Sequence, residues 1–285
     1  MGKKNRKSGE AKPPKKKRVP FVERAFEGMA GEPVLVAMRE IIPAGTTTLT
    51  TTEEYGSRTI TLATILPGLA AATRREDGEL LVAAQLVTQS GDASRDLAAA
   101  IIEALELEPG EAMPTLDLPE PGPRLQDVVV DEPLELTLHE DFSFWVGDEE
   151  AARPEVAEAI EQTRENIVPT AKVDGVDGAF WCRMTHEFVR WVRPEDQDAV
   201  LDGLARLHAV RELTFDEARF VGAFRANGLL IPVWQLPAGA EADELPAPMS
   251  DFAAKLDAAI NLNEPLTPEE KRARAGIVSR QVTLR

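Results

Sequence analysis

The chain is expected to fold as an α+β protein of repeated β-hairpin–helix units in two similar-sized domains, behind a disordered basic N-terminal tail. Three observations carry that expectation. Short apolar runs are separated by two-residue turn signals, most clearly Asn227-Gly228 between Phe220–Ala226 and Leu229–Leu236. Both residues tolerate the positive φ that a type I′ hairpin turn demands. Ala/Leu-rich segments with acidic starts, such as the run from Leu97 behind Asp92 and Ser94, have helical periodicity and N-cap residues. Residues 1–18 hold nine Lys or Arg and one Glu with no apolar periodicity, a composition that cannot bury a core.

In chain order, the tail is assigned residues 1–20. An N-terminal α+β domain follows over 21–108. Within it, Glu32–Ile41 suits a short helix opened by Pro33, and Thr46–Thr52 is either a strand or a surface loop. Asp77-Gly78 joins Leu69–Arg75 to Leu80–Val87 as a hairpin. Residues 109–124 contain five prolines and three acidic residues, so 109–130 is expected to be a stiff, extended linker. A C-terminal α+β domain spans 131–262, and a capped helix with a tail closes the chain over 263–285. A third hairpin is expected from Leu134–Leu138 and Phe142–Val146. Val156, Ile160 and Ile167 are expected to line one side of a helix opened by Pro154, and a later helix to be capped by Ser250 or Asp251.

The stretch from Gly178 to Pro237 holds three of the four tryptophans, the only cysteine and two of the three histidines. Phe180–Met184 and Phe188–Val192 suit a hairpin, although i, i+4 spacing of Phe180, Met184 and Phe188 leaves a helix open. A helix from Pro194 is expected to bury Val200, Leu201, Leu204 and Leu207. Pro232 marks its strand as an edge or as bulged, because proline cannot donate to a ladder.

Net charge is −17, yet the 267 residues beyond the tail carry 23 basic and 48 acidic side chains. So acidic a body repels phosphate backbones unless its basic residues gather on one face. A single cysteine excludes a disulfide framework and fits a reducing compartment. The apolar runs are too short for a membrane span, and no signal-peptide pattern is present. A cytoplasmic protein is expected.

The segments PFVERAFEGMAGE, FWC with FVRWVRPEDQDAVLDGLARLHA, RFVGAFRANGLLIPVWQLP and the terminal SRQVTLR resemble an uncharacterised actinobacterial family defined by a domain of unknown function. The resemblance runs from about Pro20 to the C-terminus. Some members of that family carry the labels preprotein translocase SecA or topoisomerase. This chain has no GxxxxGK[ST] phosphate loop and no cysteine-rich zinc-binding end, so ATP-driven translocation does not follow. The resemblance implies a cytoplasmic protein and supplies no catalytic residues.

No catalytic, cofactor or metal residues are assigned, and no cofactor is expected. Cys182 and His186, with His139 and His208, are the only soft metal set, but residues four apart on a strand lie ~13 Å apart. Anion or nucleic-acid contact is expected of Lys15, Lys16, Lys17 and Arg18 in the tail and of Arg183, Arg190 and Arg193 in the body. Trp181, Trp191 and Trp234 are the candidate aromatic contact surface. The opposing view, which so acidic a body favours, is that the tryptophans are core and the arginines pair with surplus carboxylates. The leading functional expectation is a non-catalytic binding or adaptor protein that associates with RNA, the ribosome or DNA through its tail, or with a protein partner. The alternative is an enzyme acting on a small anionic substrate, with Cys182 or His186 doing chemistry between arginine clamps.

Overall fold

The computed structural model describes residues 18–117, 120–165, 167–280 and 282–283. Lys15, Lys16 and Lys17, and with them the expected disorder of the tail, lie outside the described residues. Helices and strands alternate as an α+β fold carrying two six-stranded sheets.

The first sheet is built from β1 (Gly45–Thr50), β2 (Thr59–Ala63), β3 (Ala72–Arg74), β4 (Leu80–Ala83), β5 (Ala112–Met113) and β6 (Thr137–Leu138), in the order β5-β3-β4-β2-β1-β6. Only β2 and β4 run parallel. The threonine-rich run is strand β1, whose Thr47 and Leu49 face inward at 3% and 1% exposure. That alternation, with β-branched side chains on a half-buried surface, is what strand geometry favours. Three helices belong to this half: α1 (Glu32–Glu40), α2 (Ala93–Ala104) and the short α3 (Leu125–Val128). Asp92 caps α2 by accepting from the backbone N–H groups of Ser94 and Arg95. Leu35 and Met38 from α1 and Leu97 and Ile101 from α2 join Leu62 and Leu81 in a continuous core.

The second sheet comprises β7 (Thr170–Lys172), β8 (Ala179–Arg183), β9 (Glu187–Trp191), β10 (Arg219–Ala226), β11 (Leu229–Gln235) and β12 (Val282–Thr283), in the order β12-β10-β11-β9-β8-β7. Both hairpins of the central stretch form, β8–β9 and β10–β11, so the helical alternative for 180–191 is not adopted. The turn residues Asn227 and Gly228 have φ of 44° and 81°, as a type I′ turn requires. The remaining helices are α4 (Asp148–Ala151), α5 (Pro154–Arg164), α6 (Gln197–Ala209), α7 (Pro246–Ile260) and α8 (Pro268–Val278). Val200, Leu201, Leu204 and Leu207 of α6 pack with Trp181, Trp191, Trp234 and Phe252 in a second core. Near the C-terminus, Val282–Thr283 (β12) lies parallel to β10.

Several local expectations are corrected. The third hairpin does not form, because β6 pairs with β1 instead. Residues 143–145 make a 3₁₀ turn, in which Phe142 and Trp145 stack at 4.2 Å and the Trp145 indole N–H donates to the Ile65 carbonyl at 2.8 Å. Aromatic packing onto the first sheet thus outcompetes a local strand, and the four-fold repetition of hairpin and helix fails there. Pro232 is not on an edge, since β11 lies between β10 and β9. Its missing N–H is accommodated where the β9–β11 ladder is interrupted, between the Arg190–Val233 pair and the Arg193–Leu230 bridge. A bulge in β10 between Phe220 and Gly222 bends the same region. Helix α5 buries no residue, and Ile167 lies beyond its end. The central helix begins at Gln197 behind an Asp196 cap rather than at Pro194. Helix α7 begins at Pro246, so Ser250 and Asp251 lie inside it and do not cap it.

The proline-rich stretch from 109 onward contributes β5, which pairs with β3, and a buried Leu116. Leu125 and Val128 of α3 are fully buried. The first core also receives Phe180, Ala226, Leu229 and Ile231 from the second sheet and Val192 just after β9, so apolar packing continues from one sheet to the other.

Candidate functional site

A cleft of ≈ 910 Å³ opens where α1, the segment from Gln85 to Asp96 and the β10–β11 turn converge. Its position follows from two local structures. Asn227 Nδ2 donates to Glu40 Oε1 at 2.9 Å, tying the hairpin turn to the end of α1. Gly228 sits against Arg24, where an added Cβ would meet the Arg24 Cβ at 2.4 Å. Arg24 in turn forks onto Glu32 at 2.8 and 2.6 Å and donates to the Pro194 carbonyl at 2.8 Å. On the outer rim, the Val22 N–H donates to the Gly91 carbonyl at 2.9 Å, which lays Phe21 and Val22 along the cleft.

The lining combines two guanidiniums, Arg39 and Arg225, with the carboxylate of Asp96. Arg39 Nη1 donates to the Ala84 carbonyl at 2.6 Å, while its Nε has no partner. Arg225 Nε is likewise unpartnered. Asp96 is 2% exposed; one oxygen accepts from the Ser90 N–H at 3.0 Å and the other, Oδ1, accepts from nothing. Burial pushes the Asp96 carboxyl above its ordinary range, against the opposing pull of its bond to Ser90 and the Arg39 charge. The same desolvation lowers the pKa of Arg39, while Glu40 and Asp96 act to raise it. Buried polar groups in folded proteins are almost always paired. Here Arg39 Nε, Arg225 Nε and Asp96 Oδ1 lack partners and are closed off from solvent, and the residues that carry them line one concave space.

The residues singled out from the sequence are placed elsewhere. Trp181, Trp191 and Trp234 are 5%, 2% and 0% exposed and belong to the second core, so they do not form a contact surface. Their indole N–H groups are used internally, on the carbonyls of Ala240, Asp177 and Leu213. Arg183 donates to Glu187 at 3.1 Å, also pairs with Glu241, and lies over the Trp181 ring at 4.9 Å. Arg193, 5% exposed, pairs with Glu195 and with Asp257 at 2.6 Å and covers the Trp191 ring at 4.3 Å. Arg190 donates to the Met184 sulfur at 3.2 Å. Arg18 is exposed at the start of the described chain. Cys182 is buried at 1%, and burial raises its thiol pKa against the charge of Arg190. Such an environment opposes the thiolate that nucleophilic chemistry needs. His186 is exposed on the adjoining turn, and His139 faces Thr46 Oγ1 at 2.8 Å in the first sheet. Among the described residues no group of three His, Cys, Asp or Glu side chains is arranged to hold a metal ion.

Sequence reasoning missed Arg39 and Asp96. Asp96 falls in the first turn of α2, where an acid ordinarily complements the helix dipole. The one available signal was a carboxylate on a helix face otherwise made of Leu97, Ala100 and Ile101.

Fold and cleft together define an α+β protein with two sheets and a polar ligand-sized recess at their junction. The chain belongs to a family of unknown function, DUF5926, whose model matches residues 25–285. No curated protein and no solved structure matches it. Among the described residues no helix is long and apolar enough to cross a membrane.

Proposed function

We propose that this chain is a cytoplasmic, actinobacterial binding protein that performs no chemistry of its own and holds a small polar ligand in the cleft at the α1/β10–β11 junction. The observation that supports it is that Arg39, Arg225 and Asp96, each with one buried polar atom left without a partner, line one space of ≈ 910 Å³. That volume lies within the range of small-molecule sites. Leaving these groups unsatisfied costs stability that a ligand returns on binding, so occupancy raises the melting temperature. The basic segment at residues 1–18 adds a separate, nonspecific association with RNA, the ribosome or DNA.

The cleft is tested by thermal melting of the full chain against a panel of polar metabolites spanning sugars, nucleotides, organic acids and amino acids. At least one class is expected to raise the melting temperature of the wild type, and Arg225→Met is expected to abolish that rise. No stabilisation by any class, or equal stabilisation of the variant, overturns the assignment.

A further inference from the structure

The balance of groups at this cleft narrows the ligand class; the inference rests on the binding reading just given. Its lining contains two guanidiniums, Arg39 and Arg225, and three carboxylates, Glu23, Glu40 and Asp96. Glu40 is occupied by Asn227, and Glu23 is exposed at the rim. Asp96 remains as a buried acceptor with one free oxygen beside two cations that each keep an unused donor. A phosphate ester or dicarboxylate satisfies the arginines but brings two negative charges toward three carboxylates. An amine satisfies Asp96 but meets both guanidiniums. A molecule with one anionic and one cationic donor group satisfies both ends and adds no net charge to the site.

We propose that the cleft binds a free α-amino acid, with its carboxylate on Arg39 and Arg225 and its ammonium on Asp96. Charge-assisted hydrogen bonds at both ends provide orientation, and Arg is suited to forked recognition of a carboxylate. Oδ1 of Asp96 and Nε of both arginines are shielded from solvent in the free chain, so binding requires the wall of the cleft around them to open. The side chain of the ligand then lies toward Phe21, Val22 and Leu86, which supply the apolar part of the wall. Raising of the Asp96 pKa by burial fits an acceptor that gains a cation only on binding.

The test is isothermal titration of the full chain with each of the proteinogenic L-amino acids, and with the amine and the carboxylic acid lacking one charged group of the best binder. At least one amino acid is expected to bind, and each truncated analogue to bind at least ~50-fold more weakly, since each leaves a buried charge unpaired. Asp96→Asn preserves the shape and an acceptor for the Ser90 N–H; it is expected to weaken amino-acid binding by a similar factor while its melting profile stays cooperative. Arg225→Met provides the complementary loss at the carboxylate end. Equal binding of the carboxylic acid analogue, or of inorganic phosphate, overturns the amino-acid assignment and leaves the cleft standing. Unchanged amino-acid affinity in both variants overturns the cleft as its location. No binding by any amino acid overturns the inference outright, whatever the wider panel shows.

Discussion

Asp96 and Arg193 show how burial changes the meaning of a charge. The Asp96 carboxyl is raised by desolvation and by the nearby Asp92, and held back by Ser90 and Arg39. A carboxyl whose folded pKa is raised contributes stability that is complete below the unfolded pKa and lost as pH rises through the folded value. Asp96→Asn cannot titrate. The melting temperature of the variant minus that of the wild type is therefore expected to be more positive at ~pH 7 than at ~pH 4. A difference independent of pH, measured by calorimetry, would show that this carboxyl does not carry the effect. Arg193 is held by Glu195, Asp257 and the Trp191 ring. Its partners, Glu195 and Asp257, are 34% and 53% exposed, so solvent screening discounts the ion pairs, and packing of the stem over the indole supplies much of the rest. Arg193→Ala is expected to destabilise by ~2 kcal/mol in urea melts, whereas a residue kept for an external anion would cost almost nothing. Cys182, buried in β8, is expected to resist a thiol reagent such as Ellman's reagent until the chain unfolds. Prompt native-state labelling would contradict that.

At the level of elements, the β10–β11 turn joins the two halves. Gly228 has φ of +81°, and an added Cβ would lie 2.4 Å from the Arg24 Cβ and 2.6 Å from its Cα. Both the left-handed backbone and the backbone contact forbid a side chain. Gly228→Ala is expected to cost ~3 kcal/mol and to loosen the cleft; a loss under ~1 kcal/mol would mean the turn yields easily. The hairpin itself was legible, because Asn227-Gly228 acts through local φ preferences that need no tertiary partner. Caps at Asp92 and Thr267 are local in the same sense, whereas the start of α6 was placed at Pro194 instead of behind Asp196. The segment at 134–146 was illegible for the opposite reason. Its alternating leucines and aromatics satisfy a hairpin pattern, but β1 offers an edge to Thr137–Leu138 and Ile65 offers a carbonyl to Trp145.

Across the whole molecule, the first core takes Phe180, Leu229 and Ile231 from the second sheet. Urea unfolding followed by tryptophan fluorescence, dominated by the three indoles of the second core, is therefore expected to coincide with unfolding followed by far-UV circular dichroism. Separate midpoints would show that the two sheets unfold independently. The tail acts on a different scale, through long-range charge. Deleting residues 1–18 is expected to abolish a weak RNA association that falls steeply between ~50 and ~200 mM salt, and to leave the melting temperature nearly unchanged. Anisotropy with a short RNA measures it; undiminished binding by the truncated chain would move attention to the exposed arginines of the body.

By itself the sequence determined much of what is decided within a few residues: the α+β class, the Asn227-Gly228 hairpin, the Asp92 cap and the buried stripe of α6; it left a helix open for 180–191 and misplaced the starts of α6 and α7. It also marked residues 180–236 as the aromatic centre, but could not say whether those indoles faced solvent or core, since both uses favour the same residue types. Only the tertiary structure decided that they are core. It alone brought Arg39 from the end of α1, Asp96 from the start of α2 and Arg225 from β10 around one space. No spacing rule links positions so far apart in the chain. What joins them is the packing of two sheets, which brings three polar side chains together and leaves one atom of each without a partner.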